Sequence, residues 1–566
     1  MKKVAFFLVL ISAVLASRWL FKPGYFPMHD DLQMMRQLQM EKCWQDRQIP
    51  CRWVPDMGYG YGYPLFNFYP PLPYYLGQIF RWLGLAFTTT AKLTFALQFF
   101  LSGITMFLLA TELWGIWGGL LSAVFYVWAP YHSVDVFVRG AMNEAWAFVW
   151  FPLIFWAAKK LVESERFNYL VWLALSYALL LLSHNIMVMI FTPLMLLWIL
   201  FWMIKRSKLP WQKPKLLLQF ILSGLWALGL AAFFTLPMFF EKKYTHIETM
   251  FSGYFDWRAH FVSLHQLFIS RFWGWGPSIW GPNDGMPFPV GHLHWVLALV
   301  IFFLVVLKLI TDHRPARSAG GSPITDHYLI IGLFFFGLLY AFLTHQRSVF
   351  IWQLVKPLQL AQFPWRLLAG VVFCFSLLGG AIWPLLKKRW LILVLILGVI
   401  VWNWNYFRPE SMGPLPDKEK FSGQAWEVQQ TAGIYDYLPK SVPRAPTAPP
   451  GGDWQFLTGK VEQVKAQKGT NWFDWQGKVI EPGELQVNIF HFPGWRAWVD
   501  RKLAPIKVEK DLGLMRVKLD VGDHQVYFRL TNTPIRAWAN LVSLISWWAL
   551  LLVATKKGWQ RWLVAK

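Results

Sequence analysis

Charge is scarce in this chain. Only 15% of its 566 residues are Asp, Glu, Lys or Arg, where a soluble domain would carry about a quarter. That argues against a large water-soluble enzyme. Cysteine is scarcer still, at three, which excludes a disulfide-dense secreted scaffold. The sequence has no strong metal-ligand spacing, no glycine-rich phosphate loop, no dinucleotide fingerprint and no nucleophile elbow. Tandem repeats and low-complexity tracts are absent as well. Without a nucleotide fold, a sugar donor here is expected to be lipid-linked rather than nucleotide-linked.

Apolar length is what the chain has instead. It is 56% hydrophobic, with mean hydropathy +0.35, and several apolar runs reach the roughly 20 residues needed to cross a hydrocarbon core. The 37 Trp and 19 Tyr suit a polytopic membrane protein, since both favour the headgroup level. The net charge of +23 sits in short clusters between apolar runs: Lys2-Lys3, Lys159-Lys160, Lys205 to Lys215, Arg314 with Arg317, Lys387 to Arg389, and Lys556-Lys557. That is the positive-inside pattern, which orients spans and argues against nucleic acid.

Read this way, the fold class is mainly α, with about twelve spans and both termini cytoplasmic. The spans fall near 4–20, 91–113, 116–131, 145–161, 168–183, 186–204, 216–238, 292–310, 328–344, 366–386, 390–407 and 538–555. The first resembles a signal peptide but is read as retained, because no convincing cleavage site follows. Counting 71–87 as a span would put the Lys205 cluster outside, so the charge rule makes it an interfacial helix. The outer face then holds 21–90, 132–144, 183–185, 239–291, 345–365 and 408–537.

The domains expected are a transmembrane body over 1–407 with an outer loop at 21–90, a Pro- and Gly-rich linker over 408–453 with little regular structure, a β-rich domain over 454–537, and the last span and tail over 538–566. In the β-rich part, GELQVNIFHFPGWRAWVD and LMRVKLDVGDHQVYFRL alternate with period two between turn residues, as the strands of a small β-sandwich do.

Chemistry is expected first in the outer loop. His29, Asp30 and Asp31 stand just beyond the first apolar run, where charges are costly unless used. On a helix the two aspartates would point about 100° apart, so one would face a cleft while the other oriented a neighbour or capped the helix formed by LQMMRQLQM, with capping by Asp30 the simpler reading. Simple capping with solvated charge is the alternative. Cys43 and Cys51 form either a disulfide or two free thiols; Cys374 lies in a span. Tyr59, Tyr61, Tyr63 and Tyr69 alternate with glycines before and around Asn67, suiting either a sugar ring or an interfacial aromatic belt.

A second cluster is DVFVRGAMNEAW, where Arg139 and Glu144 open a span beside Asp135 and Asn143. It holds a phosphate or forms a structural ion pair. His184 and Asn185, between two apolar helices, make a third polar point, with a packing role as the alternative. The fourth is Gln362 to Arg366, where Arg366 meets a lipid-linked phosphate or snorkels. Asp256, Arg258, His260, His265 and Arg271 are possible additions from the large loop, too irregularly spaced for a metal site. Four such points would ring one outer cavity.

These motifs carry a resemblance. The anchor, the acidic loop and YPPLPYYLGQIFRWLG look like the GT-C class of membrane glycosyltransferases. HDD, FNFYPPLPYYLG, VRGAMNEAW, LLSHN and QFPWR are similar to the bacterial "6-pyruvoyl-tetrahydropterin synthase-related" membrane family. The C-terminal HFPGWRAWVD with VGDHQVYFRL resembles the β-domain of YfhO-like membrane proteins. ATELWG, after the second span, departs from the GT-C pattern in lacking arginines.

The resemblance implies a GT-C fold with an extracytoplasmic active site in the plasma membrane, and a polyprenyl-phosphate sugar as donor. The acceptor would be a hydroxyl of a glycan, lipid or protein. Asp30 or Asp31 would be the catalytic acidic residue, with Arg139, Glu144 and Arg366 at the donor phosphate. No nucleotide cofactor is expected; a divalent cation stays open. The rival reading is a non-enzymatic lipid or glycan transporter.

Overall fold

The computed structural model describes residues 1–206, 213–279, 281, 284–311 and 327–564, with side chains to residue 555. Lys208, Arg314 and Arg317 lie outside the described residues, as do the side chains of Lys556 and Lys557. The chain separates into two compact units, the first made of Met1–Asp31, Thr88–Ala227 and Gly253–Leu415, the second of Leu32–Phe87, Leu228–Ser252 and Pro416–Lys566.

Helices dominate, as the apolar runs require. Among the described residues eight are long and apolar enough to cross a membrane, or nine if the pair His327–Leu343 and Gln346–Leu354, bent by 92°, is one broken span. This is a membrane protein. The twelve expected segments all overlap helices, and the difference in count has three sources. Lys2–Ala16 and Phe167–Leu181 have only 15 residues each. The segments 91–113 and 116–131 lie in the continuous stretch Phe87–Val127, which the non-helical Gly115, at φ +77° and ψ 176°, divides into two helices.

The first unit is centred on its most deeply buried spans, Met142–Ser164 and Pro364–Leu386. Small residues let the Phe87–Val127 stretch approach Pro364–Leu386 closely, as membrane interfaces favour. A Cβ at Gly118 would lie 2.5 Å from the Gly380 carbonyl oxygen. Beside this crossing, Trp114 Nε1 and Ser122 Oγ both donate to the Leu377 carbonyl, at 2.8 and 3.2 Å.

The second unit begins with helix Gln33–Gln45, whose N-cap is Leu32 with no side-chain cap bond. The expected capping by Asp30 is therefore corrected: the helix starts later, and Asp30 and Asp31 lie in the preceding turn. Cys43 and Cys51 are disulfide-bonded. Segment 71–87 forms helix Leu72–Trp82, whose eleven residues rise about 16 Å, half of what spanning needs. Arg81 on it pairs with Glu41 at 2.5 Å.

Glycine explains the Tyr-Gly alternation. Gly58, Gly60 and Gly62 all have positive φ, and a Cβ at Gly62 would strike the Trp53 indole. The tight path buries the tyrosines. Tyr59 bonds Glu427, Tyr61 stacks on Phe490 at 5.1 Å, and Tyr63 donates to the Gly433 carbonyl at 2.9 Å. They pack within their own unit, which corrects both the sugar-platform and the aromatic-belt readings for these three.

The β-rich part holds nine strands: β1 Trp454–Phe456, β2 Lys460–Lys468, β3 Trp472–Glu481, β4 Gly483–Phe490, β5 Trp495–Val499, β6 Lys502–Ala504, β7 Lys507–Val508, β8 Leu514–Leu519 and β9 Gly522–Leu530. They form two antiparallel sheets, ordered β1-β4-β8-β7 and β2-β3-β9-β5-β6. Alternate residues Phe473 and Trp475 of β3 and Val526, Phe528 and Leu530 of β9 are buried, as period two dictates. Segment 408–453, expected to lack regular structure, contains helix Gly423–Thr431. Its Gln430 accepts from Tyr59 N through its backbone carbonyl and donates through Nε2 to the Asp56 carbonyl. Such bonds order a stretch whose composition reads as a linker.

Candidate functional site

The first unit brings the scattered polar points together. A π-helical turn, Val134–Val138, precedes Arg139, and Gly140 follows with φ +63°. A Cβ at Gly140 would run into Met28, so glycine there admits the outer segment. That segment lies against the turn: His29 N donates to the Val138 carbonyl at 3.0 Å, and Asp30 N to the Arg139 carbonyl at 2.8 Å. His29 Nε2 lies 2.9 Å from the Trp275 carbonyl oxygen. That contact makes Nε2 the protonated nitrogen, because a carbonyl can only accept.

Glu144, in the first turn of helix Met142–Ser164, is the hub. Its Oε2 lies 2.9 Å from Arg139 Nη2, 3.4 Å from Arg366 Nε and 3.9 Å from His184 Nε2. Its Oε1 accepts from Tyr131 at 2.5 Å. Arg139 also pairs with Asp135 and donates to Tyr131 Oη at 3.2 Å. Its guanidinium lies over the Trp365 ring, 4.5 Å from the centroid. Arg366 Nη1 donates to Gln362 Oε1 and to the Ala361 carbonyl, both at 2.8 Å. Gln362, at φ +63°, is buried under it.

His184 caps helix Asn185–Lys205, accepting at Nδ1 from Met187 N at 3.2 Å. Asn185 is the first residue of that helix. Neighbouring Asn143 donates to the Ser183 carbonyl at 2.9 Å. His260 is linked through Ser278 Oγ, 3.1 Å away, to Trp365 Nε1 at 3.0 Å. Asp256 and Arg258 pair with each other at 3.0 Å, and Arg271 lies over Trp402. Asn67 and Tyr69 fall in the second unit. There Asn67 bonds Arg52 and Glu241, and Arg36 lies over the Tyr69 ring.

The electrostatics follow from burial. Burial and the nearby Glu144 carboxylate push Asp135 well above the usual carboxylate range. Arg139 is held protonated, above its ordinary value, chiefly by Glu144 against the cost of burial. Burial pushes His184 down to about 3, and burial lowers His29 as well. Both imidazoles are neutral at pH 7. Arg139 and Arg366 both face the Glu144 carboxylate, while burial draws the Asp135 carboxyl toward its neutral form.

Sequence reasoning passed over Tyr131 and took Trp365 only as part of the Gln362 to Arg366 motif. Tyr131, Asp135 and Arg139 recur every four residues, a helical face in an apolar stretch, and that was the available signal. Among the described residues no group of three His, Cys, Asp or Glu is arranged to hold a metal ion.

Comparison with known proteins bears on residues 66–281. They match the family model described as "6-pyruvoyl-tetrahydropterin synthase related domain; membrane protein". The motif resemblance to that family is real. The matched stretch includes Arg139, Glu144 and His184, while His29 to Asp31 and Gln362 to Arg366 lie outside it. An uncharacterized protein of Lactococcus lactis subsp. cremoris (strain MG1363) is 25% identical over 262 residues, 44% of this chain and 42% of that protein. The chain thus spans under half the length of that curated relative. Among solved structures, the Archaeoglobus fulgidus oligosaccharyltransferase tethered to an acceptor peptide aligns with TM-score 0.41 and 11% identity over 78% of this chain and 61% of that one. Its apo form aligns with TM-score 0.36 and 14% identity over 79% and 60%.

Proposed function

We propose that the chain is an integral membrane glycosyltransferase of the GT-C type. It transfers a sugar from a polyprenyl-phosphate donor to an extracytoplasmic hydroxyl on a glycan, lipid or protein. The observation that carries this reading is the meeting of Arg139 and Arg366 on one carboxylate, Glu144, next to the backbone of the His29–Asp31 turn. Two guanidiniums side by side suit the phosphate of a lipid-linked donor, and a carboxylate pair in the adjoining turn suits a base.

In the proposed reaction the acceptor oxygen attacks the anomeric carbon while the bond from that carbon to the phosphate oxygen breaks. Asp30 or Asp31 takes the hydroxyl proton, and polyprenyl phosphate departs against Arg139 and Arg366. Glu144 and Gln362 hold the arginines, and His184 stands beside Glu144, rather than touching substrate. Asn185 remains a proposed substrate contact, whereas Asn67 and Tyr69, engaged within the second unit, are not assigned to the transfer. Base catalysis supplies about 10²–10⁴-fold and charge stabilisation the larger share. Twelve spans, cytoplasmic termini and a plasma-membrane location belong to this proposal, and a divalent cation at the donor phosphate is compatible with it.

The test is incubation of the purified protein with radiolabelled polyprenyl-phosphate sugars and a panel of glycan, lipid and peptide acceptors, with and without Mg²⁺. Label leaving the lipid for an acceptor supports the reading. Saturable binding with label retained on every lipid would favour the transporter instead.

A further inference from the structure

The second unit contains a cavity of about 880 Å³ that the proposed transfer does not use. Arg47, Arg52, Arg501, Arg529 and Arg536 line it, and no Asp or Glu does. Five guanidiniums from the disulfide loop, the β5–β6 turn, β9 and the last helix therefore share one hollow.

Two of them are buried, Arg52 at 5% exposure and Arg536 at 1%. A buried guanidinium needs a carboxylate or a bound anion to offset its lost hydration. Arg536 has one: its Nε and Nη2 each lie 2.9 Å from Glu241 Oε2. Glu241 is fully engaged, since it also accepts from Asn67 Nδ2 at 2.9 Å and Thr533 Oγ1 at 2.6 Å. Arg52 has only neutral acceptors among the described residues: Asn67 Oδ1 at 3.2 Å, and the Phe233 carbonyl and Asn540 Oδ1 at 2.8 Å. Its Nε and Arg536 Nη1 are buried with no hydrogen-bond partner among the described residues. Burial and the nearby Arg536 lower the Arg52 guanidinium to about 9. Arg47, Arg501 and Arg529 pair with no carboxylate among the described residues.

The lining also says what accompanies the charge. Trp498 and Tyr527 stand side by side in the wall, centroids 6.2 Å apart. Aromatic faces of this kind take the C–H face of a sugar or polyol. The volume, within the usual range of about 300–1,000 Å³ for small-molecule sites, exceeds the needs of a bare anion. Arg536 and Glu241 stand at the ends of two candidate spans, Pro534–Thr555 and Pro214–Tyr244, so the floor of the cavity lies at a membrane mouth.

We propose that this cavity binds a phosphate group bearing a sugar or polyol, with Arg52 and Arg536 at its floor and Trp498 and Tyr527 against the polyol. Guanidinium forks match phosphate oxygens bidentately. The phosphate belongs either to a lipid headgroup or to a soluble phosphorylated polyol. The site is independent of the residues assigned to transfer, so activity and binding here can fail separately.

The experiment is calorimetric titration of the full-length protein with sn-glycerol 3-phosphate in phosphatidylcholine nanodiscs, and again in phosphatidylglycerol nanodiscs. One-to-one binding in both supports the site with a soluble ligand. Binding in phosphatidylcholine that phosphatidylglycerol abolishes supports it with a lipid headgroup. Arg501→Gln with Arg529→Gln changes two exposed side chains, so the fold is retained. The double variant should weaken binding about tenfold or more, on the scale of losing charge-assisted bonds, with an unchanged melting temperature. Failure of glycerol 3-phosphate to bind in phosphatidylcholine, or binding indifferent to the double variant, overturns the proposal.

Discussion

Arg139 Nη2 lies 2.9 Å from Glu144 Oε2, both side chains almost wholly withdrawn from solvent. The same carboxylate oxygen faces Arg366, so one carboxylate is shared by two buried guanidiniums from distant parts of the chain. A buried pair adds little net stability when intact, but removing one partner leaves an uncompensated charge. Glu144 is therefore the residue on which this cluster's integrity turns.

Glu144→Gln keeps the shape and the Tyr131 contact but deletes the charge. We expect it to destabilise the protein by about 3–5 kcal/mol, read from thermal unfolding in detergent. Combining it with Arg366→Gln should return part of that loss, because the second change removes one of the stranded charges. A double variant no better than the single would mean that Glu144 acts through packing alone.

Asp30 and Asp31 stand in a half-exposed turn, so neither should matter much for folding. Asp30→Asn and Asp31→Asn are each expected to shift the melting temperature little. One of them should lower kcat for sugar transfer by about 10²–10⁴-fold, the usual share of a positioned base, with KM for the lipid donor nearly unchanged. The other should lose less than about tenfold. Equal, small losses in both would remove the aspartates from the chemistry.

How far the sequence was legible depends on whether a signal was local. Charges in an apolar chain must be used, and on that ground His29, Arg139, Glu144, His184 and Arg366 stand out; the last four meet around one carboxylate, and His29 joins the Arg139 turn through its backbone. Tyr131 was missed because an aromatic among aromatics carries no contrast. The glycine-flanked tyrosines were misread because the turn geometry of Gly58, Gly60 and Gly62 decides where they point, and composition does not encode it. Asp30 lost its expected cap because the helix starts only at Gln33. The five-arginine cavity was invisible for a different reason. Arg501 and Arg529 each look like one solvated charge on a strand or turn, and only the sheet order β9-β5-β6 brings them to one side of Arg52 and Arg536.

His184 makes the acid side of the stability curve predictable. Its imidazole is held at about 3 by burial, with Arg366 and Arg139 opposing protonation and Glu144 favouring it. The unfolded chain would take up the proton near pH 6.5. Between those values the unfolded state binds more protons, so stability is lost as pH falls from about 6.5 toward 3 and is fully present above that window. At pH 5 the loss attributable to this group is about 2 kcal/mol. His132 is likewise buried and held at about 3, so the total acid sensitivity is larger and a variant is needed to isolate one share. His184→Asn can keep the helix cap without titrating. Its melting temperature should fall less than that of the parent between pH 7.5 and pH 5, and equal falls in both would remove His184 as the source.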